Sequence, residues 1–310
     1  MSKVKNYLSL IRFSHTIFAM PFALIGFCLG VVYPNLRLGQ WNLNKTVGWR
    51  VYGYTPDDIR HYLILLVLVI GCMVFARSAA MAFNRWLDAK FDALNPRTAI
   101  REIPAGIISK NSALRFVILS CVAFIVCTWF INPLCFALSF VALAVVLGYS
   151  YTKRFTPLCH LVLGLGLSLA PIGAFLAVRG EFAVLPILFS LAVIFWVSGF
   201  DIIYALQDED FDKSQKLYSM PSWLGKAKAL QVSVLLHILS TLCVLLAGYT
   251  GEFGWWYWIG VCVFMGMLIY QHLIVKPNDL SRVNLAFMTA NGIASVVFAG
   301  FVITDLLLRG

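Results

Sequence analysis

Two acidic stretches of this 310-residue chain are spaced for work on a cation. The first reads Asn84-Arg-Trp-Leu-Asp88-Ala-Lys-Phe-Asp92, and the second Asp201-Ile-Ile-Tyr204-Ala-Leu-Gln-Asp208-Glu-Asp-Phe-Asp212. On a helix, residues four apart lie above one another, so Asn84, Asp88 and Asp92 share a face. Tyr204, Asp208 and Asp212 do the same, with Asp201 one turn earlier. Stacked like charges repel by a few tenths of a kcal/mol per pair in water, and ionisable groups cost more beside a membrane. A cation is therefore expected between the two stretches. Oxygen ligands suit a hard one, and magnesium prefers one or two carboxylates completed by waters and substrate phosphate oxygens. Two facing aspartate pairs would hold such ions against a diphosphate. A solvated helix end is the plainer account of either stretch alone, and the presence of two copies weighs against it.

Basic residues stand where they could complete such a site. Arg77 precedes Asn84 by seven residues, two turns away on the same face, inside an apolar run. An arginine there needs an anion or a partner within the bundle. Arg97 and Arg101 follow the first acidic stretch, and Lys153 and Arg154 close another apolar run. All can hold phosphate oxygens, although membrane proteins collect basic residues in cytoplasmic loops in any case. The eight cysteines form no C-x-x-C pair and sit in or beside apolar runs, where they read as small hydrophobes rather than disulfides or metal ligands. His160, His237 and His272 show no ligand spacing and are expected to make local hydrogen bonds; serine hydrolysis has no support.

The elements that must position these residues are membrane helices. Hydrophobic residues make up 61% of the chain and charged residues 12%, about half the charge of a globular domain. Nine apolar segments stand out: 14–32, 62–83, 113–130, 134–149, 160–178, 183–206, 229–249, 255–275 and 285–308. Each is close to the ~20 residues that cross a bilayer. Asn132-Pro133 parts the third from the fourth in a tight hairpin. The N-terminus has a signal-like basic start and apolar run but no small-residue cleavage site, so it reads as the first crossing. No linker divides the chain, and residues 1–310 read as one polytopic domain.

Charge sets the orientation. Of the 24 lysines and arginines, 17 lie at the N-terminus or after segments two, four, six and eight; six lie on the other side and Arg77 lies between. The positive-inside rule then places the N-terminus in the cytoplasm. This explains the net charge of +10 without a nucleic-acid partner. With Glu102, just beyond the first, eight of the 14 acids fall in or beside the two stretches, both at cytoplasmic helix ends and about 120 residues apart, which hints at two halves of one design.

In order, N-x-x-x-D-x-x-x-D, R-T-x-x-R-x-x-P-x-G (from Arg97 to Gly106), Y-x-x-x-K-R (from Tyr149 to Arg154) and D-x-x-Y-A-x-x-D-x-x-x-D span most of the chain. This series resembles the intramembrane aromatic prenyltransferases of the UbiA superfamily. The opening Ile11-Arg-Phe-Ser-His-Thr-Ile-Phe-Ala-Met-Pro-Phe22 resembles the bacterial 4-hydroxybenzoate polyprenyltransferase-like branch, which also includes enzymes of the futalosine route to menaquinone. The polar stretch 34–60 is longer than the short outer loop expected of that branch. The resemblance implies an all-α bundle of nine transmembrane helices in the inner (plasma) membrane with its active site on the cytoplasmic side. It implies that Asp88, Asp92, Asp208 and Asp212 bind magnesium, which in turn binds a polyprenyl diphosphate. Arg77, Asn84, Lys153 and Arg154 would orient the diphosphate or the acceptor carboxylate, and Asp201 and Tyr204 the acceptor. The implied product is a prenylated aromatic acid for quinone synthesis, from 4-hydroxybenzoate or, alternatively, 1,4-dihydroxy-6-naphthoate. Membrane lipid is the expected surrounding and no protein partner is evident. The alternatives are a non-aromatic acceptor, such as a glycerol phosphate or a haem side chain, and a secondary transporter for a divalent cation or an organic anion. A transporter usually binds near the midplane on broken helices, whereas both acidic stretches here sit at one face.

Overall fold

A chain this apolar must satisfy its backbone polar groups internally once in lipid, and helices do so within each segment. The computed structural model describes residues 3–11, 18–32 and 56–309; residues 12–17 of the opening motif, His15 among them, and 33–55 of the outer loop lie outside the described residues. The described secondary structure is helical. The elements are α1 (Lys3–Leu10), α2 (Met20–Val32), α3 (Pro56–Leu87), α4 (Ala89–Leu94), α5 (Lys110–Ile131), α6 (Pro133–Thr152) and α7 (Cys159–Arg179). They continue with α8 (Val184–Ala205), α9 (Glu209–Ser214), α10 (Met220–Leu224), α11 (Lys226–Thr250), α12 (Trp255–Ile274) and α13 (Asn291–Arg309). A π-helical turn, Leu285–Ala290, leads into α13.

Eight helices among the described residues are long and apolar enough to cross a membrane, and they match the second to ninth segments. The first is present as the 13-residue apolar α2, about 20 Å long at 1.5 Å per residue. The chain is an integral, multi-pass membrane protein. Its packing is that of a bundle in lipid: α8 is the most enclosed, with Phe189, Val193, Trp196 and Val197 at 0% exposure. By contrast α3 and α5 turn Leu63, Val67, Leu119 and Trp129 outward.

Local chemistry sets the joints. Asn132 caps α6, accepting from the Cys135 amide at 2.8 Å, with Pro133 at the first helical position. Its side-chain amide also donates to the Leu176 carbonyl at 2.9 Å, so one residue makes the expected hairpin and ties it to the end of α7. Gly26 on α2 meets α7 so closely that a Cβ would lie 2.0 Å from the Pro171 carbonyl oxygen. Hydroxyls stitch the core: Ser233 donates to the Gly199 carbonyl at 2.7 Å and Ser240 to that of Ala192 at 2.8 Å, as small polar residues do between membrane helices.

The acidic stretches depart from the continuous helices that their spacing suggests. The first helix breaks at Asp88, and the second gives way to a 3-10 turn that ends at Asp208. Asp88 (φ −90°, ψ 8°) separates α3 from α4, and Asp208 (φ −104°, ψ 5°) closes a 3-10 turn before α9. The Asp88 amide still donates to the Asn84 carbonyl at 2.9 Å and that of Asp92 to Asp88 at 2.8 Å, so the first face survives its break. Each aspartate is followed by a six-residue helix, so the 120-residue echo in sequence is also one of shape.

Candidate active site

The first acidic stretch is braced by its own loop and by α6. Asn84 donates to Asp88 at 3.1 Å, and Arg154 reaches Asp88 at 2.8 Å. Arg101 pairs with the buried Asp92 at 2.7 Å. The loop carrying Arg101 is shaped by Asn95, whose side chain accepts from the Arg97 amide, and Gly106 turns the chain onward with a φ of +73°. A glycine is suited to that left-handed conformation.

Cross-links join this stretch to the second one. Arg97 holds Asp208 with a two-pronged contact, Nη2 at 2.5 Å and Nε at 3.2 Å, and donates to the Tyr204 hydroxyl at 3.1 Å. Lys153 lies 2.7 Å from Asp212, whose side chain is 0% exposed. Neighbours in sequence, Lys153 and Arg154, thus serve one aspartate in each stretch. The cations required by the stacked acids are these four side chains, one per carboxylate. Burial alone would lower the Lys153 ammonium, yet Asp212 and, behind it, Asp208 raise it above the ordinary lysine value. Burial pushes Asp88 up to about 6 against the pull of Arg154, with Asp92 adding to the rise.

All ten side chains expected from the sequence line one cavity of about 300 Å³: Arg77, Asn84, Asp88, Asp92, Lys153, Arg154, Asp201, Tyr204, Asp208 and Asp212. Arg77 stands at its inner end, its Nε buried without a hydrogen-bond partner. Arg77, Met81, Tyr149, Leu163 and Leu167 also line a second, apolar cavity of about 360 Å³ between α3, α6 and α7. A charged chamber thus adjoins an oily one, with a lone guanidinium at the boundary.

Sequence reasoning underrated His160. It hydrogen-bonds locally, as expected, but does so inside the site: Nδ1 is 2.6 Å from Asp201, and Nε2 lies 3.3 Å from the Met220 amide that donates to it. A lone histidine 41 residues before its partner leaves no spacing signal. His237 and His272 bond to each other at 2.9 Å, away from the cavity. The cysteines are free.

The donor set fits magnesium. It consists of oxygen ligands, and Asp92 Oδ2 is buried with no hydrogen-bond partner. Among the described residues no three His, Cys, Asp or Glu side chains are grouped to hold a metal ion by themselves. An ion here needs outside oxygens, as magnesium bound with phosphate does.

Comparison with known proteins agrees with this geometry. The model of the UbiA prenyltransferase family matches residues 54–293. The 4-hydroxybenzoate octaprenyltransferase of Aeromonas salmonicida (strain A449) is 32% identical over 262 residues, 84% of this chain and 88% of the relative. The apo structure of a UbiA homolog from Aeropyrum pernix K1 is 28% identical, with a TM-score of 0.78 over 94% of this chain and 98% of the other. A UbiA homolog from Archaeoglobus fulgidus bound to DMAPP and Mg2+ shares the fold at 21% identity, with a TM-score of 0.69 over 98% and 99% of the two chains. The chain belongs to the UbiA prenyltransferase family and is a prenyltransferase, which sets the transporter alternative aside.

Proposed function

We propose that this enzyme transfers a polyprenyl group from its diphosphate to an aromatic acid of the 4-hydroxybenzoate type, for quinone synthesis. One observation carries the reading: four aspartates from two distant stretches and four basic side chains interlock around one cavity that adjoins an apolar chamber. The curated relatives named for 4-hydroxybenzoate support the acceptor class. Residues 1–310 act as one domain, with nine crossings, the N-terminus in the cytoplasm and the site on the cytoplasmic side of the inner membrane.

Asp88, Asp92, Asp208 and Asp212 would hold magnesium, with Asn84 orienting Asp88. When bound, magnesium neutralises charge on the diphosphate and makes it a better leaving group. Lys153, Arg154, Arg97 and Arg101 exchange their carboxylate partners for diphosphate oxygens. Arg77, at the apolar boundary, receives the acceptor carboxylate in a charge-assisted pair. Asp201, held by His160, and Tyr204 orient the acceptor ring. The isoprenyl chain occupies the apolar cavity, and the bundle keeps water from the reacting carbon.

The test is direct. Purified protein given labelled polyprenyl diphosphate should prenylate 4-hydroxybenzoate, lose that activity in chelator and regain it with magnesium. Turnover of 1,4-dihydroxy-6-naphthoate alone would move the acceptor to the alternative route. Turnover of a neutral acceptor and neither acid would overturn the aromatic-acid reading.

A further inference from the structure

The cavity has an aromatic wall as well as a charged one. Phe18, Phe200, Tyr204 and Phe287 all line it. Phe18, Phe200 and Phe287 pack against one another with centroids 5.7, 5.5 and 5.4 Å apart, and Tyr204 lies 4.3 Å from Phe287. Two of the three phenylalanine pairs meet edge to face, at 76° and 77°. The wall adjoins the diphosphate end, because Tyr204 shares Arg97 with Asp208.

Phe287 reaches this wall from an unusual backbone. It lies in the π-helical turn Leu285–Ala290, a rare form that is frequently found at functional sites. Asn291, at 0% exposure, supports that turn. Its Nδ2 donates to the Ala286 and Phe287 carbonyls at 3.2 and 3.0 Å. Its Oδ1 accepts from Trp196 at 2.9 Å and Gln271 at 2.8 Å. Trp196 precedes Phe200 and Tyr204 by one and two turns on α8. One buried amide therefore ties the π turn to α8, which carries Phe200 and Tyr204 and leads through a 3-10 turn to Asp208. Polar groups at this depth are costly unless satisfied, and every polar atom of this amide has a partner.

We propose that these four packed rings form an aromatic wall beside the allylic cation, with Phe287 as the ring supplied by the last span and Asn291 as its positioning residue. The inference rests on the prenyl-transfer reading above. In the step, the C1–O bond of the donor breaks and its electron pair leaves on the diphosphate. A ring carbon of the acceptor supplies the pair for the new C–C bond, and the ring proton passes to the released diphosphate. Water reaching the cation first would give the prenyl alcohol, its spare proton going the same way. The unactivated phenyl faces of phenylalanine attract a cation through their quadrupole without offering a competitive nucleophile, so they hold the cation and exclude the competing water together.

Two readouts test the role of this wall. Phe287→Leu should lower kcat about 10-fold, equivalent to about 1.4 kcal/mol on the barrier, with the donor KM within about 2-fold of wild type. The share of labelled donor ending as prenyl alcohol should rise several-fold. In calorimetry with magnesium and pyrophosphate, a prenyl ammonium ion should bind Phe287→Leu several-fold more weakly, and the neutral prenyl alcohol about equally. Phe287→Trp should restore ammonium binding. Asn291→Asp, which keeps the acceptors for Trp196 and Gln271 but cannot donate to both carbonyls, should shift the product ratio in the same direction. If Asn291→Asp does not fold, Phe287→Leu alone decides. An unchanged product ratio and unchanged ammonium binding in Phe287→Leu, with wild type prenylating normally, would overturn the aromatic wall's role and leave the prenyl-transfer reading standing. A wild type that consumes no prenyl diphosphate would overturn both.

Discussion

At the scale of single residues, the site is defined by reciprocal pairing. Asp88, Asp92, Asp208 and Asp212 each have one lysine or arginine partner, and two of these four partners come from adjacent positions, 153 and 154. A site so interlocked should respond as one unit. Asp88→Asn and Asp208→Asn, 120 residues apart in sequence, should each lower turnover at least ~100-fold, the order expected when one member of a preorganised electrostatic site is lost. The double variant should be little worse than the worse single one. Strictly multiplicative losses, measured by steady-state kinetics, would mean that the two stretches work apart. Arg77 should behave differently. Its unpartnered Nε stands where charged and apolar cavities meet, so Arg77→Ala should raise the KM of an acidic acceptor about 10-fold or more, as loss of a charge-assisted contact worth ~1.5–3 kcal/mol requires. The donor KM should stay near wild type; an equal rise in both would place Arg77 with the diphosphate instead. Arg77, Asn84, Asp88, Asp92, Asp201, Tyr204, Asp208 and Asp212 are legible because helical spacing puts them on shared faces, and Lys153 and Arg154 because they form a basic pair at the end of an apolar run. His160 and Asn95 are not, since their partners Asp201 and Asp208 lie 41 and 113 residues away and tertiary pairing leaves no period.

At the scale of elements, the helices follow from apolar length, and the departures from them follow from side chains that periodicity cannot see. Nothing in the spacing of Asn84, Asp88 and Asp92 announces the break at Asp88, because the i to i+4 hydrogen bonds continue through it. The π turn before α13 is equally silent in sequence; a single buried asparagine supports it. The Asn132-Pro133 joint, by contrast, is readable, since a capping side chain followed by proline at the first helical position is a start signal. That residue also holds the Leu176 carbonyl. Asn132→Ala should therefore destabilise the purified protein by ~1–2 kcal/mol, lowering its thermal midpoint in detergent while leaving the acceptor KM unchanged. Gly26→Ala should do more damage, because the added Cβ would sit 2.0 Å from a backbone oxygen that cannot turn aside. If Gly26→Ala were as stable as wild type, the close approach of α2 and α7 would be wrong.

At the scale of the whole molecule, the bundle keeps its charged cavity at one end and its apolar side chains towards lipid. The donor's own division, a charged head on an oily chain, matches the pairing of a 300 Å³ polar cavity with a 360 Å³ apolar one. The orientation of that end follows from charge: the loops that carry Arg97, Arg101, Lys153 and Arg154 belong to the side holding 17 of the 24 basic residues. A membrane resists moving such loops outward, so they should face the cytoplasm. Ser109 and Ser214 are exposed on that side, at the start of α5 and the end of α9, whereas Glu252 is exposed at the opposite end, between α11 and α12. In intact cells, a membrane-impermeant thiol reagent should label Glu252→Cys but neither Ser109→Cys nor Ser214→Cys. Opening the cells should make the latter two reactive. Each variant carries the native cysteines, so labelling is scored against the unmodified chain. Labelling of Ser109→Cys or Ser214→Cys from outside would invert the protein and place the diphosphate site away from the cytoplasm, where a charged donor head would have no route to it from that side.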